Sequence, residues 1–274
     1  MEKKISHFRT SDNLSLEVQE YIISENPEKI ILLVHGHGEH AGRFQRVAEY
    51  FNEKGVSAMA VTLRGHGNSE GKKGHAPSLD QLLTDIEYFI RFVRVNYLNA
   101  ELFLYGHSMG GNIVLNYLAK DHSDEIKAGI ATSPWIRLAF EPPSWKVNLG
   151  NWIADVIPGL IQSTGLKAED ISSINEEVEK YKDDSLIHSK ISAKLFTSIT
   201  KGGEYLIHNT HKFKHSVFLA HGQQDKIISH DATAEFAKDS NLFTFKSYPK
   251  SKHEIHHDVD FENLMDDILN WMSR

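Results

Sequence analysis

The chain has 274 residues and not one is cysteine. Disulfides, thiolate metal sites and a cysteine nucleophile are therefore excluded. Long apolar runs are missing too. The longest, such as Ile30 to Val34, fall far short of the ~18 residues that a membrane-spanning helix needs. No basic stripe is present and the formal net charge is −7, so nucleic acid is not an expected partner. The first residues, Met1 to His7, lack the apolar stretch of a secretory signal. Internal repeats and low-complexity segments are absent. A soluble, cytoplasmic protein is the expectation, with peripheral membrane contact still admitted. A hydrophobic share of 40% and a charged share of 24% are those of an ordinary globular protein. The length suits one large α/β domain with a lid better than two independent domains.

Short apolar runs recur at Ile30 to Val34, Ser57 to Leu63, Glu101 to Tyr105, Ala128 to Thr132, Val217 to Ala220 and Phe243 to Tyr248. Such solid runs fit strands covered on both faces. Between them, Arg43 to Lys54, Leu79 to Tyr97, Met109 to Lys120, Ala232 to Lys238 and Phe261 to Met272 carry apolar residues three or four apart. Strand and helix alternate, which predicts a mostly parallel sheet with helices on both faces. A hairpin is expected at the start, from Ile5 to Arg9 and Leu14 to Ile23 around the turn Ser11-Asp12-Asn13.

From about Pro134 to Phe213 the alternation stops. Helical patterning continues, without a convincing strand. Residues 1–133 and 214–274 thus read as the α/β core, and 134–213 as a helical lid inserted between two strands. Leu149, Trp152, Ile153, Val156, Ile157 and Leu160 form one apolar helical stripe. Most of it is expected to pack on the main domain, because a lid must bury one face to stay folded. Ile153 and Ile157 are the candidates for lining an acyl pocket.

Gly106-His107-Ser108-Met109-Gly110 is a G-x-S-x-G motif set between the run Leu102 to Tyr105 and the helical run Ile113 to Leu118. That strand–turn–helix context predicts a nucleophile elbow with Ser108 at its tip. Glycines on either side leave room for close backbone approach, and the helix beginning after Ser108 places positive partial charge beside a developing oxyanion. A serine hydroxyl needs a base, and the base needs an orienting acid. In this fold the chain order is Ser, then Asp or Glu, then His. Asp225 directly follows the run Val217 to Ala220, at a strand end where catalytic residues gather. Asp231 reads instead as a helix N-cap and Asp239 as a solvated charge. His253 follows Phe243 to Tyr248 by a short loop. His256 and His257 are rivals, set nearer the last helix and so expected to be exposed.

Acyl transfer also needs two backbone N–H donors aimed at the tetrahedral oxygen. Met109, after the nucleophile, supplies one in this reading; His37, in the loop His35-Gly36-His37-Gly38 after Ile30 to Val34, supplies the other. The same loop supports a rival. His35-x-His37-x-Glu39-His40 is similar to the zinc motif of metallo-β-lactamase-like hydrolases, and three histidines after a strand suit zinc. That rival leaves the Ser108 elbow unexplained. Histidine is abundant, at 17 residues; beyond these positions, solvated surface side chains are the expectation.

Taken together, His35-Gly36-His37-Gly38-Glu39-His40-Ala41-Gly42-Arg43, Leu63-Arg64-Gly65-His66-Gly67-Asn68-Ser69-Glu70-Gly71 and Gly106-His107-Ser108-Met109-Gly110 resemble the monoacylglycerol lipase and lysophospholipase group of α/β-hydrolases. Weaker echoes are Asp184-Ser185-Leu186-Ile187 and the loops of Asp225 and His253. The resemblance runs along nearly the whole chain. It implies the triad Ser108, Asp225 and His253, oxyanion amides at His37 and Met109, and no cofactor. It also implies that Glu39 and Arg43 lie near the polar head of the substrate, a role that competes with a structural salt bridge. Arg64 and His66 are expected to hold loop geometry. Thr62 and Ser185 depart from the family, where Asp and Pro are common.

Hydrolysis of a carboxylic ester with one acyl chain, a monoacylglycerol or lysophospholipid, is the function that follows. The competing readings are a general carboxylesterase, thioesterase or peptidase of the same fold, and a non-catalytic binding protein on a hydrolase scaffold. Acyl length, head group and oligomeric state are not encoded legibly.

Overall fold

The structure, a computed structural model, describes residues 3–120, 125–140 and 144–274, with the backbone alone for 144–149. Eight strands form the main sheet: β1 (Lys4–Arg9), β2 (Ser15–Tyr21), β3 (Lys29–Val34), β4 (Ser57–Val61), β5 (Glu101–His107), β6 (Ala128–Thr132), β9 (Val217–Gly222) and β10 (Phe243–Tyr248). Their order is β1-β2-β4-β3-β5-β6-β9-β10. The β1–β2 hairpin is antiparallel, as is its junction with β4, and every other neighbour is parallel. The expected hairpin turn forms with Asn13 at φ 67°, a backbone conformation that asparagine tolerates better than most residues.

The solid apolar runs are explained by where alternate residues go. Ile30, Leu32 and Val34 of β3 enter one buried cluster, while Ile31 and Leu33 enter the other. In β5, Leu102 and Leu104 divide from Phe103 and Tyr105 in the same way. Each strand is thus apolar on both faces because both faces are covered. One face packs against α2 (Leu79–Asn96), α3 (Met109–Ala119) and α6 (Ala193–Ile207). The other packs against α1 (Gln45–Glu53) and α8 (Phe261–Met272).

The segment between β6 and β9 holds α4 (Ser144–Val156), α5 (Asn175–Asp183) and α6. It also holds two short strands that the sequence pattern missed, β7 (Ile161–Ser163) and β8 (Lys190–Ser192), paired antiparallel. Three residues each are too few to show a period. α6 does not sit apart from the core. Its Leu195, Ile199 and Leu206 join the buried cluster of the sheet. A Cβ on Gly202 would lie 2.7 Å from Leu79, and one on Gly203 would lie 2.1 Å from the Ile136 carbonyl oxygen. Two adjacent glycines inside a helix cost about 1 kcal/mol each; here they allow α6 to approach α3. That approach leaves all eleven residues of α3 buried. Asn112 of α3 donates to the Trp135 and Ile199 carbonyls at 2.7 and 3.1 Å.

The apolar stripe behaves differently from expectation. Trp152, Val156, Ile157 and Leu160 are exposed, Ile153 is half-buried, and among the described side chains of α4 the buried one is Ala154. Leu149 lies among residues whose side chains are outside the described set. The remaining α7 (His230–Phe236) is capped by Ser229, whose hydroxyl accepts from the Ala232 amide at 3.1 Å. Asp231 is therefore a first-turn residue, not the N-cap, and its side chain is fully exposed.

Candidate active site

Ser108 stands between the end of β5 and the start of α3, at φ 53° and ψ −114°. Few non-glycine residues adopt such a conformation, which costs on the order of 1–3 kcal/mol. The turn is held in place by its neighbours. The Ser108 amide donates to the Thr132 carbonyl at 2.9 Å, and its carbonyl accepts from Asn112 and Trp135 at 3.0 Å each. A Cβ on Gly106 would sit 2.2 Å from the Gly110 carbonyl oxygen, and one on Gly110 would sit 2.2 Å from that of Val34. Both motif glycines are therefore required sterically.

Two loops at neighbouring strand ends bring the partners. The His253 Nε2 lies 2.9 Å from the Ser108 Oγ. Its Nδ1 lies 2.7 Å from the Asp225 Oδ2. Asp225 is fixed from several sides: its Oδ1 accepts from the Ile227 and Ile228 amides at 2.8 and 3.0 Å, and its Oδ2 also meets His221 Nε2 at 2.9 Å. Burial alone would raise this carboxyl. The adjoining His253 ring and the hydrogen bonds from His221 and His253 outweigh it and hold Asp225 well below the usual carboxylate range. Two residues that contact the Asp225–His253 pair were not legible in the sequence. Ser133, at φ 42° just beyond β6, donates its hydroxyl to the His253 carbonyl at 2.7 Å. His221 bridges Asp225 to the Thr233 hydroxyl, 2.9 Å away. Nothing in a lone Ser or His marks such a role; only the strand ends they share reveal it.

His37 follows β3 and lines the same cavity as Ser108. A Cβ on the preceding Gly36 would lie 3.3 Å from the Ser108 Cβ, so the loop passes directly against the nucleophile position. Met109 opens α3 and is buried. Both backbones are thus beside Ser108. The zinc grouping, in contrast, does not assemble. His35 spends Nδ1 on the Gly36 carbonyl and Nε2 on the Leu63 amide. His40 spends Nε2 on Asp184 and Nδ1 on the Gly42 amide. Among the described residues, the ligand-type clusters are Glu39–His107–Glu254 and Glu254–His256–His257. Neither contains His35, His37 or His40. Arg43 already pairs with the carboxylates of both, so we assign them no cation.

The expectation of solvated histidines fails: among the described residues nine histidines are buried, and four of them, His107, His221, His256 and His257, are ones expected in solvent. His256 and His257 are among them, because the turn Ile255–His257 tucks them under the start of α1. The His256 ring stacks on Phe44 at 5.2 Å and meets His107 at 4.6 Å. His257 Nε2 meets the Arg43 carbonyl at 2.9 Å. Burial is the main cause that lowers His35 to about 4, and His37 and His107 to about 3. These rings stay neutral around the site.

The cavity over Ser108 has a volume of ≈ 300 Å³. Its apolar wall includes Trp135, Leu138, Ile171, Ile191 and Phe196, and its mouth includes the loop Gln162 to Lys167. Ile153 and Ile157 are not among the described lining residues. Ile157 is exposed just past α4 and Ile153 is half-buried outside the cavity, and the wall is built by the β7 loop, α6 and the segment after β6 instead. Glu39 lines the cavity, whereas Arg43 does not. Arg43 is buried between Glu39 and Glu254, the salt bridge that competed with substrate contact.

Comparison with known proteins agrees with this architecture. Residues 25–260 match the Hydrolase_4 family, described as serine aminopeptidase, S33. A monoacylglycerol lipase of Mycolicibacterium smegmatis is 27% identical over 251 residues, 90% of this chain and 89% of that protein. An abhydrolase domain-containing protein of Dictyostelium discoideum is 31% identical over 99% of this chain, which spans only 29% of that protein's length. The crystal structure of a Paleococcus ferrophilus monoacylglycerol lipase superposes with a TM-score of 0.83 at 29% identity, covering 99% of this chain and 98% of that one. A soluble variant of the Saccharomyces cerevisiae monoglyceride lipase shares the fold, with a TM-score of 0.86 at 22% identity over 99% and 95% of the two chains. The chain has the α/β-hydrolase fold, and it belongs to the Hydrolase_4 (serine aminopeptidase, S33) family.

Proposed function

We propose that Ser108, His253 and Asp225 are the catalytic triad of this enzyme and that its substrate is a single-chain lipid ester, a monoacylglycerol or lysophospholipid. The reaction class follows from the family and the relatives: the chain is a carboxylic ester hydrolase. The observation that carries the finer reading is the line of contacts Ser108 Oγ–His253 Nε2–Asp225 Oδ2, at 2.9 and 2.7 Å, on the floor of an apolar-walled cavity.

In this mechanism His253 takes the hydroxyl proton as Ser108 attacks the ester carbonyl. The carbonyl becomes a tetrahedral oxyanion, met by the His37 and Met109 amides. Collapse expels the alcohol, which takes the proton from His253 and leaves an acyl group on Ser108. Water then attacks with His253 again as base, releasing the fatty acid and restoring the serine. Asp225 orients the ring and stabilises its charged form. No step calls for a cofactor.

Residues 134–213 act as the lid. They supply the Ile171, Ile191 and Phe196 wall that would hold one acyl chain. Phe140, Trp152, Val156, Ile157, Leu160 and Leu166 are exposed on the same segment. Their apolar surface supports peripheral contact with a membrane of a protein that works in the cytoplasm. Among the described residues no helix is long and apolar enough to cross a membrane.

The family description favours a second reading, an aminopeptidase. Such an enzyme needs a free anion for the substrate ammonium. Glu39, Glu254 and Asp170 line the cavity; Arg43 pairs with the two glutamates, which leaves Asp170 as the carboxylate for an ammonium, and the apolar wall favours the ester. A fluorophosphonate label mapped by mass spectrometry, followed by a panel of monoacyl glycerols, lysophospholipids, thioesters and aminoacyl amides, tests both. Labelling at Ser108 with the highest kcat/KM on a monoacyl lipid is the expected result. Labelling elsewhere, or a preference for aminoacyl amides, overturns the proposal.

A further inference from the structure

A third carboxyl group beside the proposed triad has no part in the mechanism above. Glu254 follows His253 directly and is 2% exposed. Its Oε2 accepts a hydrogen bond from the Arg43 Nη2. Arg43 Nε donates onward to the Glu39 Oε1 at 3.4 Å. The Glu39 Oε2 accepts from the Gly36 amide at 2.9 Å. Gly36 precedes His37 and packs against the Ser108 Cβ. An unbroken chain of contacts therefore runs from the histidine loop to the loop that would carry the oxyanion amide. The Glu254 amide also donates to the Ile171 carbonyl at 2.8 Å, which ties the same residue to the cavity wall.

We infer that Glu254 is a positioning residue that couples the His253 loop to the oxyanion loop through Arg43 and Glu39, in a state where the two carboxyl groups share one proton. The inference rests on the proposed roles of Ser108 and His253.

Charge counting supports the shared proton. With one proton between the carboxyls and Arg43 charged, the buried trio is neutral. Without it, a net negative charge would stand beside the atom where an oxyanion must form, and a buried uncompensated charge is costly. Burial, reinforced by the Glu39 charge, raises Glu254 well above the ordinary carboxylate range against the pull of Arg43. For Glu39 burial also raises, but the Arg43 charge and a bond from Glu254 outweigh it and leave it ionised. The other groups facing the trio do not replace the proton. His107, His256 and His257 are all shifted down by burial and stay neutral. Tyr181 of α5, with its ring 5.3 Å from the Arg43 guanidinium, is shifted up and stays protonated. Glu177 of α5 faces His257 at 3.2 Å and lies one residue further out.

The test uses a short, water-soluble ester, so that chain recognition plays no part. Glu254→Gln keeps a donor for Glu39 and an acceptor for Arg43 but cannot ionise. Glu254→Leu keeps the bulk and breaks both contacts. We expect Glu254→Leu to lower kcat by about tenfold or more, with KM changed less than about twofold, the signature of a displaced oxyanion donor. Glu254→Gln should stay within about threefold of wild type at neutral pH. It should also lose an alkaline fall in kcat that the wild type shows as Glu254 gives up its proton. A merely structural residue would change the folded fraction and leave the pH profile alone. Wild-type kcat in folded Glu254→Leu, or an alkaline limb that persists in Glu254→Gln, overturns the inference. Should Glu254→Leu fail to fold, the pH profile of Glu254→Gln decides. Fluorophosphonate labelling of the same samples separates the two levels. An unlabelled Ser108 sinks the catalytic reading and this inference with it; a labelled Ser108 with an unchanged profile sinks the inference alone.

Discussion

The elbow at Ser108 and the segment at 134–213 were both read from apolar patterning, yet they reward that reading unequally. At the elbow each residue type answers a separate constraint. Ser108 takes a positive φ, Gly106 and Gly110 have no room for a Cβ, and β5 and α3 are buried on all sides. Few sequences meet those demands by chance, so the pattern is close to unique. In the segment at 134–213 the demands are looser. An apolar stripe at helical spacing says that a helix forms, but not what covers it. There α4 shows Trp152 and Val156 to solvent, and among its described side chains Ala154 is the buried one. Small residues make the close contacts, as Gly202 and Gly203 do in α6, and small residues carry no hydrophobic signal. Motifs fix backbone geometry; stripes fix only a face.

If that contrast is right, the largest effects belong to the elbow. Ser108→Ala should lower kcat by about 10⁴-fold or more while the folded state persists, measured by ester turnover and by far-UV and near-UV circular dichroism. A variant within tenfold of wild type would break the comparison at its strongest point. Next comes the base. His253→Gln should cost about 10³-fold or more, whereas His256→Gln should keep most activity per folded molecule. Among the described residues the His253 ring is the one that reaches the Ser108 Oγ, while His256 faces Phe44 and His107. Reversal of that order would reassign the base.

The pairing of Ser108 with His253 and Asp225 was legible because strand-end loops in a parallel sheet converge, and the order Ser, Asp, His left few candidates. The environment of those residues was not. His107, His221, His256 and His257 read from sequence as surface groups, yet all four are buried, since histidine is at home in either place. Their burial depends on contacts between loops far apart in the chain, such as His257 under Arg43, and no local pattern encodes those. The same holds for Glu254: a charged letter next to a histidine gives no hint of a buried proton-sharing pair. The strands β7 and β8 were missed for a simpler reason, being three residues long.

Those histidines make acid stability a third test. His35 is lowered to about 4 and His37 and His107 to about 3, chiefly by burial. In the unfolded chain they take up protons near pH 6.5. The unfolded state therefore binds more protons between these values. Their contribution to stability is complete above about pH 6.5 and is lost as pH falls toward about 4. Three such rings give a slope of up to about 4 kcal/mol per pH unit, against a total of about 5–15 kcal/mol for a domain. Denaturant midpoints measured from pH 7 to 4.5 should fall steeply, with more than one proton taken up on unfolding. A slope of less than one proton would mean that the rings around the site reach water.

The smallest effects belong to the segment at 134–213, and they sharpen the comparison by separating its two surfaces. Leu138, Ile191 and Phe196 face the cavity, whereas Trp152 and Ile157 face outward. A buried methylene is worth about 0.8 kcal/mol, about a fourfold step in kcat/KM for each carbon of an acyl chain that the wall accommodates. Leu138→Trp or Ile191→Trp would fill part of the ≈ 300 Å³ cavity and should move the preferred chain length down by a few carbons, seen as a shifted maximum across an ester series from acetyl to palmitoyl. Trp152→Ala and Ile157→Ala should leave that maximum in place. They remove exposed apolar area, so their effect should appear only in partition onto phospholipid vesicles, read by co-sedimentation. The two readouts divide the segment by which way a residue points, not by its place along the stripe. A shift of chain preference in Ile157→Ala, with none in Ile191→Trp, would mean that the outward surface closes over the substrate and that the stripe had been the better guide after all.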